Sequence, residues 1–305
     1  LFGWMGDRIG RVKAMIWSVL TYSIFSGLCA FAAAPWQIGV LRFIAALGMG
    51  GEWSLGVALV MEIWPAKSRP ILAGLIGAAA NVGFLLAGLL GLGVPSADGG
   101  WRTIFLIGAA PALLTFFIRI FVPESERWKH AAATTPKTRV SEIFARGIAG
   151  RTLLGACLAG LALVGTWGSV QWIPNWTGQF TAGRAGAAEW AQNALAVGAI
   201  LFTILAALLA EKSNRRVAYF LLCLTSLAAC QYLFRARPEY GGFFLLVTFL
   251  VGGLTAAFYG WLPLYLPELF PTRVRATGAG FAFNIGRLLG AVGAVTGGEL
   301  VKRVF

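Results

Sequence analysis

The chain has 305 residues, 58% of them hydrophobic and 12% charged, with a mean hydropathy of +0.76; an ordinary soluble domain carries about 25% charged residues. The 25 basic and 12 acidic side chains are too few to clothe a soluble surface of this size, so the composition excludes a water-soluble enzyme and a disordered chain and selects a polytopic membrane protein. The net charge of +13 does not point to nucleic acid, because the basic residues lie scattered in short loops between apolar runs and form no contiguous soluble face.

Leu1 and Phe2 run straight into a charged loop, as the end of a helix that begins earlier would. Crossing about 30 Å of hydrocarbon takes roughly 20 apolar residues, and nine segments qualify: 14–34, 37–61, 71–94, 102–121, 152–173, 190–210, 217–234, 243–266 and 276–298. The intervening loops alternate in charge. One set, from Arg8 to Arg275, holds 16 Lys and Arg; the other, including Arg102, Arg184, Arg235, Arg237, Lys302 and Arg303, holds six. The excess places the first set in the cytoplasm. Residues 122–151 form the longest polar stretch and read as a cytoplasmic linker, which divides the chain into 1–121, 122–151 and 152–305. Cys29, Cys157, Cys223 and Cys230 all fall in apolar runs without metal-ligand spacing, and His130, the one histidine, sits in the linker, so no metal or other cofactor is expected.

The chain also repeats itself. Glu62-Ile63-Trp64-Pro65, then Arg69 and Gly74, reappears as Glu268-Leu269-Phe270-Pro271, then Arg275 and Gly280, every matched position 206 residues on. More weakly, Gly6 to Arg11 aligns with Ala210 to Arg215 at a spacing of 204. Parallel repeats of this kind build some secondary transporters, with the substrate site between the halves near the bilayer midplane.

Charges inside a membrane cost at least about 2.5–3.5 kcal/mol each on insertion scales, so each is a functional candidate. Arg42, Glu52 and Arg287 lie well inside spans. Glu52 is ten residues from Glu62, about 15 Å along a helix, and Arg287 is twelve from Arg275, about 18 Å, so both fall near the midplane. The repeat makes Asn81 the mate of Arg287. A guanidinium there can grip a carboxylate through two parallel hydrogen bonds, or pair with Glu52 as a structural ion pair. Glu52, a buried carboxyl, suits reversible protonation or a lasting bond to Arg42 or Arg287. Gln171, Trp172 and Asn175, then Tyr259 and Trp261, with Asn284, complete the candidate substrate contacts; interfacial anchoring is the alternative for Trp172 and Trp261.

Several tracts resemble those of a known family. Gly3-Trp4-Met5-Gly6-Asp7-Arg8-Ile9-Gly10-Arg11 resembles the loop signature after the second helix of the major facilitator superfamily, and Arg42-Phe43 through Gly48-Met49-Gly50-Gly51-Glu52 resembles its fourth helix. Pro123-Glu124-Ser125-Glu126-Arg127-Trp128 is similar to the motif that ends the first half of sugar porters. Glu62-Ile63-Trp64-Pro65 and Pro271-Thr272-Arg273-Val274-Arg275 look more like the sialate and organic-acid:proton branch. The resemblance implies an all-α membrane protein: a major-facilitator-type helical bundle of two pseudo-symmetric halves, of whose twelve helices this chain carries the third to the eleventh. It implies a multi-pass plasma (inner) membrane transporter, not an enzyme, working on a small-molecule substrate and a proton as a monomer in the lipid bilayer. Arg42 then matches the arginine that engages a first-helix acid in proton-coupled sugar porters, a proton-coupling role it would share with Glu52. Asp7, Arg8, Arg11, Glu62, Arg69, Glu211, Arg215, Glu268 and Arg275 match charges that close the cytoplasmic side. As exposed pairs, worth about 0–1 kcal/mol each, they would suit a latch that breaks in every cycle. The substrate expected is an organic anion; a sugar:proton symporter and a sensor without flux are the alternatives.

Overall fold

In the computed structural model, residues 1–94, 100–126, 128–130, 139–236 and 238–304 are described, and among them every regular element is helical. The helices are α1 (Phe2–Ile9), α2 (Arg11–Leu28), α3 (Pro35–Ile63), α4 (Arg69–Gly93), α5 (Gly100–Ile107), α6 (Leu114–Phe121), α7 (Ala149–Gly168), α8 (Ile173–Phe180), α9 (Ala187–Lys212), α10 (Arg215–Ala236), α11 (Gly242–Ala256), α12 (Phe258–Glu268) and α13 (Arg275–Val304). Seven stretches of the described residues are long and apolar enough to cross a membrane: Arg11–Phe31, Pro35–Ile63, Arg69–Gly93, Ala149–Phe180, Ala187–Lys212, Arg215–Ala236 and Gly242–Glu268. The segment expected at 276–298 lies within α13.

The segment expected at 102–121 is not one helix. α5 stops at Ile107 and α6 begins at Leu114, with a 3₁₀ turn, Ala110–Leu113, between them. Pro111 has no N–H for the Ile107 carbonyl and its ring would crowd that oxygen, so the helix breaks there. α7 and α8 part for the same reason. Pro174 cannot serve Val170, and the chain makes a 3₁₀ turn at Val170–Trp172 before α8 begins. At the start of α3, Pro35 occupies the first turn, where its missing N–H costs nothing, and the Gln37 side-chain oxygen accepts from the N–H groups of Ala33 (2.7 Å) and Ala34 (3.2 Å).

The chain packs as two compact units interleaved in sequence. The first takes 1–66, 93–155 and 266–284. Its centre is the crossing of α1, α2 and α3, where Phe2, Ala14, Leu55, Ala58 and Ala276 are buried together and the Ser18 hydroxyl donates to the Gly48 carbonyl (2.6 Å). The linker's described ends dock on this unit. Ile143 is fully buried, the Thr152 hydroxyl donates to its carbonyl (2.6 Å), and Phe144 meets Phe281 edge to face at 5.1 Å. The linker's middle, including Lys137, lies outside the described residues.

The second unit takes 67–92, 156–265 and 285–305. α9 and α11 approach backbone to backbone: a Cβ on Gly198 would lie 2.0 Å from the Phe249 carbonyl oxygen, and the Thr203 hydroxyl donates to the Ala256 carbonyl (3.1 Å). Lipid gives no hydrophobic gain for helix association, so small residues and interhelical hydrogen bonds hold such contacts. Large apolar side chains such as Trp36, Phe43, Leu153, Leu209 and Phe220 remain exposed, as a lipid-facing surface requires.

Candidate functional site

The first unit gathers a buried charge cluster. Gly10, at φ +111°, separates α1 from α2; a Cβ there would both strain the backbone and lie 2.3 Å from Glu124 Oε2. The break frees the first N–H groups of α2, and the Glu124 carboxylate takes them, Arg11 N–H to Oε1 (2.9 Å) and Val12 N–H to Oε2 (3.1 Å). An anion at a helix N-terminus satisfies orphan donors and the helix dipole together. Trp128 locks the same tract down: its indole N–H donates to the Asp7 carbonyl (3.0 Å) and its backbone N–H to the Ser125 hydroxyl (3.1 Å).

Arg11 is the hub. Its guanidinium donates to Asp7, to Glu62 Oε1 (3.0 Å) and to the Thr272 carbonyl (3.2 Å). Asp7 accepts in turn from Thr277, through the backbone N–H (2.8 Å) and the hydroxyl. Burial pushes the Asp7 carboxyl above its ordinary range, against the opposing pull of Arg11 and Thr277. The side chains of Asp7, Arg11 and Glu62 are 0% exposed. This corrects the expectation of exposed, weak pairs: removing one member of a buried network costs about 3–5 kcal/mol.

The other expected gate residues stand elsewhere. Arg8 is exposed, 4.6 Å from the centre of the Trp4 ring. Arg275 donates to the Pro267 carbonyl (3.3 Å), and Glu268 is exposed. Arg69, Glu211 and Arg215 belong to the second unit, where Arg215 donates to the Ala210 carbonyl at the end of α9 (2.6 Å). An ion pair the sequence reading did not foresee joins Arg273 to Glu142 of the linker.

Higher in the first unit, Glu52 is half-buried on α3 and hydrogen-bonds to Tyr22 of α2. Arg42 lies on the same unbroken helix ten residues away, about 15 Å along its axis, so the two do not meet. Arg42 is exposed, 6.0 Å from the Phe105 ring centre. The Asn284 amide donates to the carbonyls of Gly50 (2.8 Å) and Gly280 (2.7 Å), beside a stacked Trp53–Phe283 pair with centroids 4.0 Å apart.

In the second unit, α4, α7, α12 and α13 converge on Tyr259. The Tyr259 side chain hydrogen-bonds to Thr166 and Trp167 and lies within electrostatic reach of Arg287. Pro263 cannot serve the Tyr259 carbonyl, which instead faces Gly77 of α4; a Cβ there would lie 2.4 Å from that oxygen. One turn on, Asn81 donates to the Gly77 carbonyl (3.1 Å), and Phe84 meets the Trp167 ring at 6.4 Å. Gln171 and Trp172 sit on the 3₁₀ turn between α7 and α8, and Asn175 is exposed on α8. The Trp172 indole nitrogen is buried without a hydrogen-bond partner among the described residues. Trp261 is 2% exposed and packs on Tyr219 (4.9 Å) and Tyr265 (4.6 Å). Two residues beyond Tyr259, it points about 200° away around the helix. No group of three or more His, Cys, Asp or Glu among the described residues could hold a metal ion.

A model of one family matches residues 1–294, that of the Major Facilitator Superfamily. The chain belongs to this superfamily. Among its relatives, the cis,cis-muconate transport protein of Acinetobacter baylyi is 33% identical over 314 residues, covering 98% of this chain and 74% of that protein. The sialic acid transporter NanX of Escherichia coli is 24% identical over 287 residues, covering 93% and 70%. The solved structure of the proton:xylose symporter XylE bound to 6-bromo-6-deoxy-D-glucose aligns with a TM-score of 0.79 at 19% identity, covering 99% of this chain and 76% of that one, which shows a shared fold.

This superfamily member is thus a multi-pass membrane transporter of small metabolites and not an enzyme. Sequence reasoning missed Glu124, Ser125, Trp128, Thr272 and Thr277 as partners of the charge cluster. The Pro123–Trp128 tract carried a signal, since it was visible as a motif; Thr272 contributes a backbone carbonyl, which no side-chain motif announces.

Proposed function

We propose that the protein is a proton-coupled symporter for a small organic anion, a carboxylate of the muconate or sialate type, working by alternating access between two six-helix halves joined by the 122–151 linker. The observation that carries this reading is the position of Arg287. It is within electrostatic reach of Tyr259, whose side chain hydrogen-bonds to Thr166 and Trp167, and it lies twelve residues along α13 from Arg275, a count that supports a depth near the midplane. A planar fork of donors suits a carboxylate bound through two parallel hydrogen bonds. The names of the muconate and sialic acid relatives support the same class, since both compounds are carboxylic acids. Glu52, with Tyr22 as its hydrogen-bond partner, is the candidate proton carrier, and Arg42 its proposed companion in coupling. The Asp7–Arg11–Glu62 cluster, tied to Thr272 and Thr277, is the proposed cytoplasmic gate.

The test is uptake by the intact gene product in vesicles with an imposed pH gradient. Labelled cis,cis-muconate, sialic acid and xylose are offered in turn. Uptake of a carboxylate that rises with an inward proton gradient is expected. Uptake of xylose alone would replace this reading with a sugar symporter, and no uptake of any solute would favour a sensor.

A further inference from the structure

α4 and α9 run antiparallel in one steady register. Cβ atoms placed on the glycines of α4 would meet α9 in order: Gly74 at Ala207 (3.1 Å), Gly77 at Thr203 (2.5 Å), Gly88 at Asn193 (2.2 Å) and Gly91 at Glu189 (3.3 Å). The spacing keeps all four glycines on one helical face. The two ends of this seam differ in chemistry. At the Gly74 end, α9 presents Ile204 and Ala207, and the Thr203 hydroxyl is bonded to the Ala256 carbonyl. At the Gly88 end it presents Asn193, with Glu189 one turn away.

Asn193 is 5% exposed, and neither its Oδ1 nor its Nδ2 has a hydrogen-bond partner among the described residues. A buried carboxamide with both donor and acceptor idle is unfavourable wherever it stays dry, and most so in a membrane. An Asn that served only packing would be replaced without loss by a side chain of the same shape and no polar atoms. The missing Cβ of Gly88 is what lets the amide lie in the seam at all.

We infer that Asn193 lines the transport path: the α4–α9 seam parts at its Gly88 end, and the carboxamide shut inside it here then meets water and the polar atoms of the passing substrate. The inference rests on the alternating-access reading above and adds to it which end of this seam opens and which side chain is uncovered. An amide presents both a donor for a carboxylate oxygen and an acceptor for a hydroxyl.

Two measurements test it in the intact gene product. In the first, Asn193→Cys is introduced with the four native cysteines replaced, and a membrane-impermeant maleimide is applied to each face of sealed vesicles. Labelling from the face that bears residues 174–189 is expected, at least tenfold slower than in the same background carrying Ala185→Cys, at an exposed position, in place of Asn193→Cys. No labelling, or labelling from the opposite face only, would overturn the inference. In the second, Asn193→Leu is expected to lower carboxylate uptake at least tenfold while its unfolding temperature is unchanged or raised, because the idle polar atoms are gone and the shut seam is favoured. Parental uptake, or a lowered unfolding temperature, would mark Asn193 as a structural amide. If the parental protein carries none of the carboxylates, the proposed function fails, and the labelling and unfolding data still decide the seam.

Discussion

The Arg11 charge cluster of the first unit and the residues around Tyr259 in the second use similar polar groups to different ends. Around Arg11 most groups are engaged with one another: two carboxylates and a carbonyl accept from the guanidinium, Thr277 donates to the far oxygen of Asp7, and Glu124 closes the end of α2, while Arg11 Nε and Glu62 Oε2 have no hydrogen-bond partner among the described residues. Groups bonded to one another in this way have little left for a ligand. In the second unit the Trp172 indole N–H, on the turn before α8, and both polar atoms of Asn193, in the α4–α9 seam, have no partner among the described residues. A buried donor left idle is unfavourable unless something binds it in another step of the cycle. The comparison teaches that charge density does not mark a binding site by itself, because charges can be spent on holding one another.

The contrast breaks most sharply at its hub. Arg11→Ala strands the Asp7 and Glu62 carboxylates in a buried site, and a loss of about 3–5 kcal/mol is expected. It would be read as a fall in the unfolding temperature of the detergent-solubilised protein. Asp7→Asn combined with Glu62→Gln in the Arg11→Ala background should recover much of it, because the stranded charge does the damage. At the other site the effect should fall on binding rather than stability. Arg287→Ala is expected to weaken carboxylate binding by about 1.5–3 kcal/mol, the range for a hydrogen bond to a charged group, or roughly tenfold to a hundredfold. Arg287→Lys should keep the charge and lose the paired geometry, giving an intermediate affinity in a calorimetric titration. If Arg287→Ala destabilises the fold as much as Arg11→Ala does, the two regions do not differ in the way described.

The capping carboxylate should show a smaller effect. Glu124→Ala frees two backbone donors at the start of α2 and is expected to cost about 1 kcal/mol, up to about 2, as other N-cap losses do. Comparison with Glu124→Gln in thermal unfolding would separate the hydrogen bonds from the helix-dipole term.

Much of the fold was legible because hydropathy and loop charge are one-dimensional signals. Seven of the nine expected spans overlap stretches long and apolar enough to cross. The interruption of 102–121 was legible too, in Pro111, but an apolar count does not weigh one missing N–H. Of the candidate site, Tyr259, Arg287 and Asn81 lie on the helices that converge around Tyr259. Trp261 was chosen with Tyr259 for its chemistry, yet a separation of two residues turns it to the far side of α12, against Tyr219. The burial of Asp7, Arg11 and Glu62 could not be read, because it arises from backbone groups at Thr272 and Thr277 some 260 or more positions away in sequence, and no pattern of side chains encodes where a carbonyl will point.

The smallest expected effect concerns Thr277, and it tests how Asp7 is held within the cluster. Thr277 gives Asp7 two donors, its backbone N–H at 2.8 Å and its hydroxyl. Thr277→Val removes the hydroxyl and keeps the branched shape. Asp7 then retains Arg11 and the backbone N–H, so no charge is stranded and the loss should stay near 1 kcal/mol, the net worth of a single hydrogen bond. Thr277→Ser keeps the donor and drops a methyl group, so it should sit nearer the parent than Val does if the hydrogen bond dominates. Unfolding temperatures of the three proteins in one detergent would rank them. Should Val and the parent coincide while Ser is destabilised, the hydroxyl contributes nothing and Thr277 acts by packing alone; Asp7 would then be held by Arg11 and one backbone N–H.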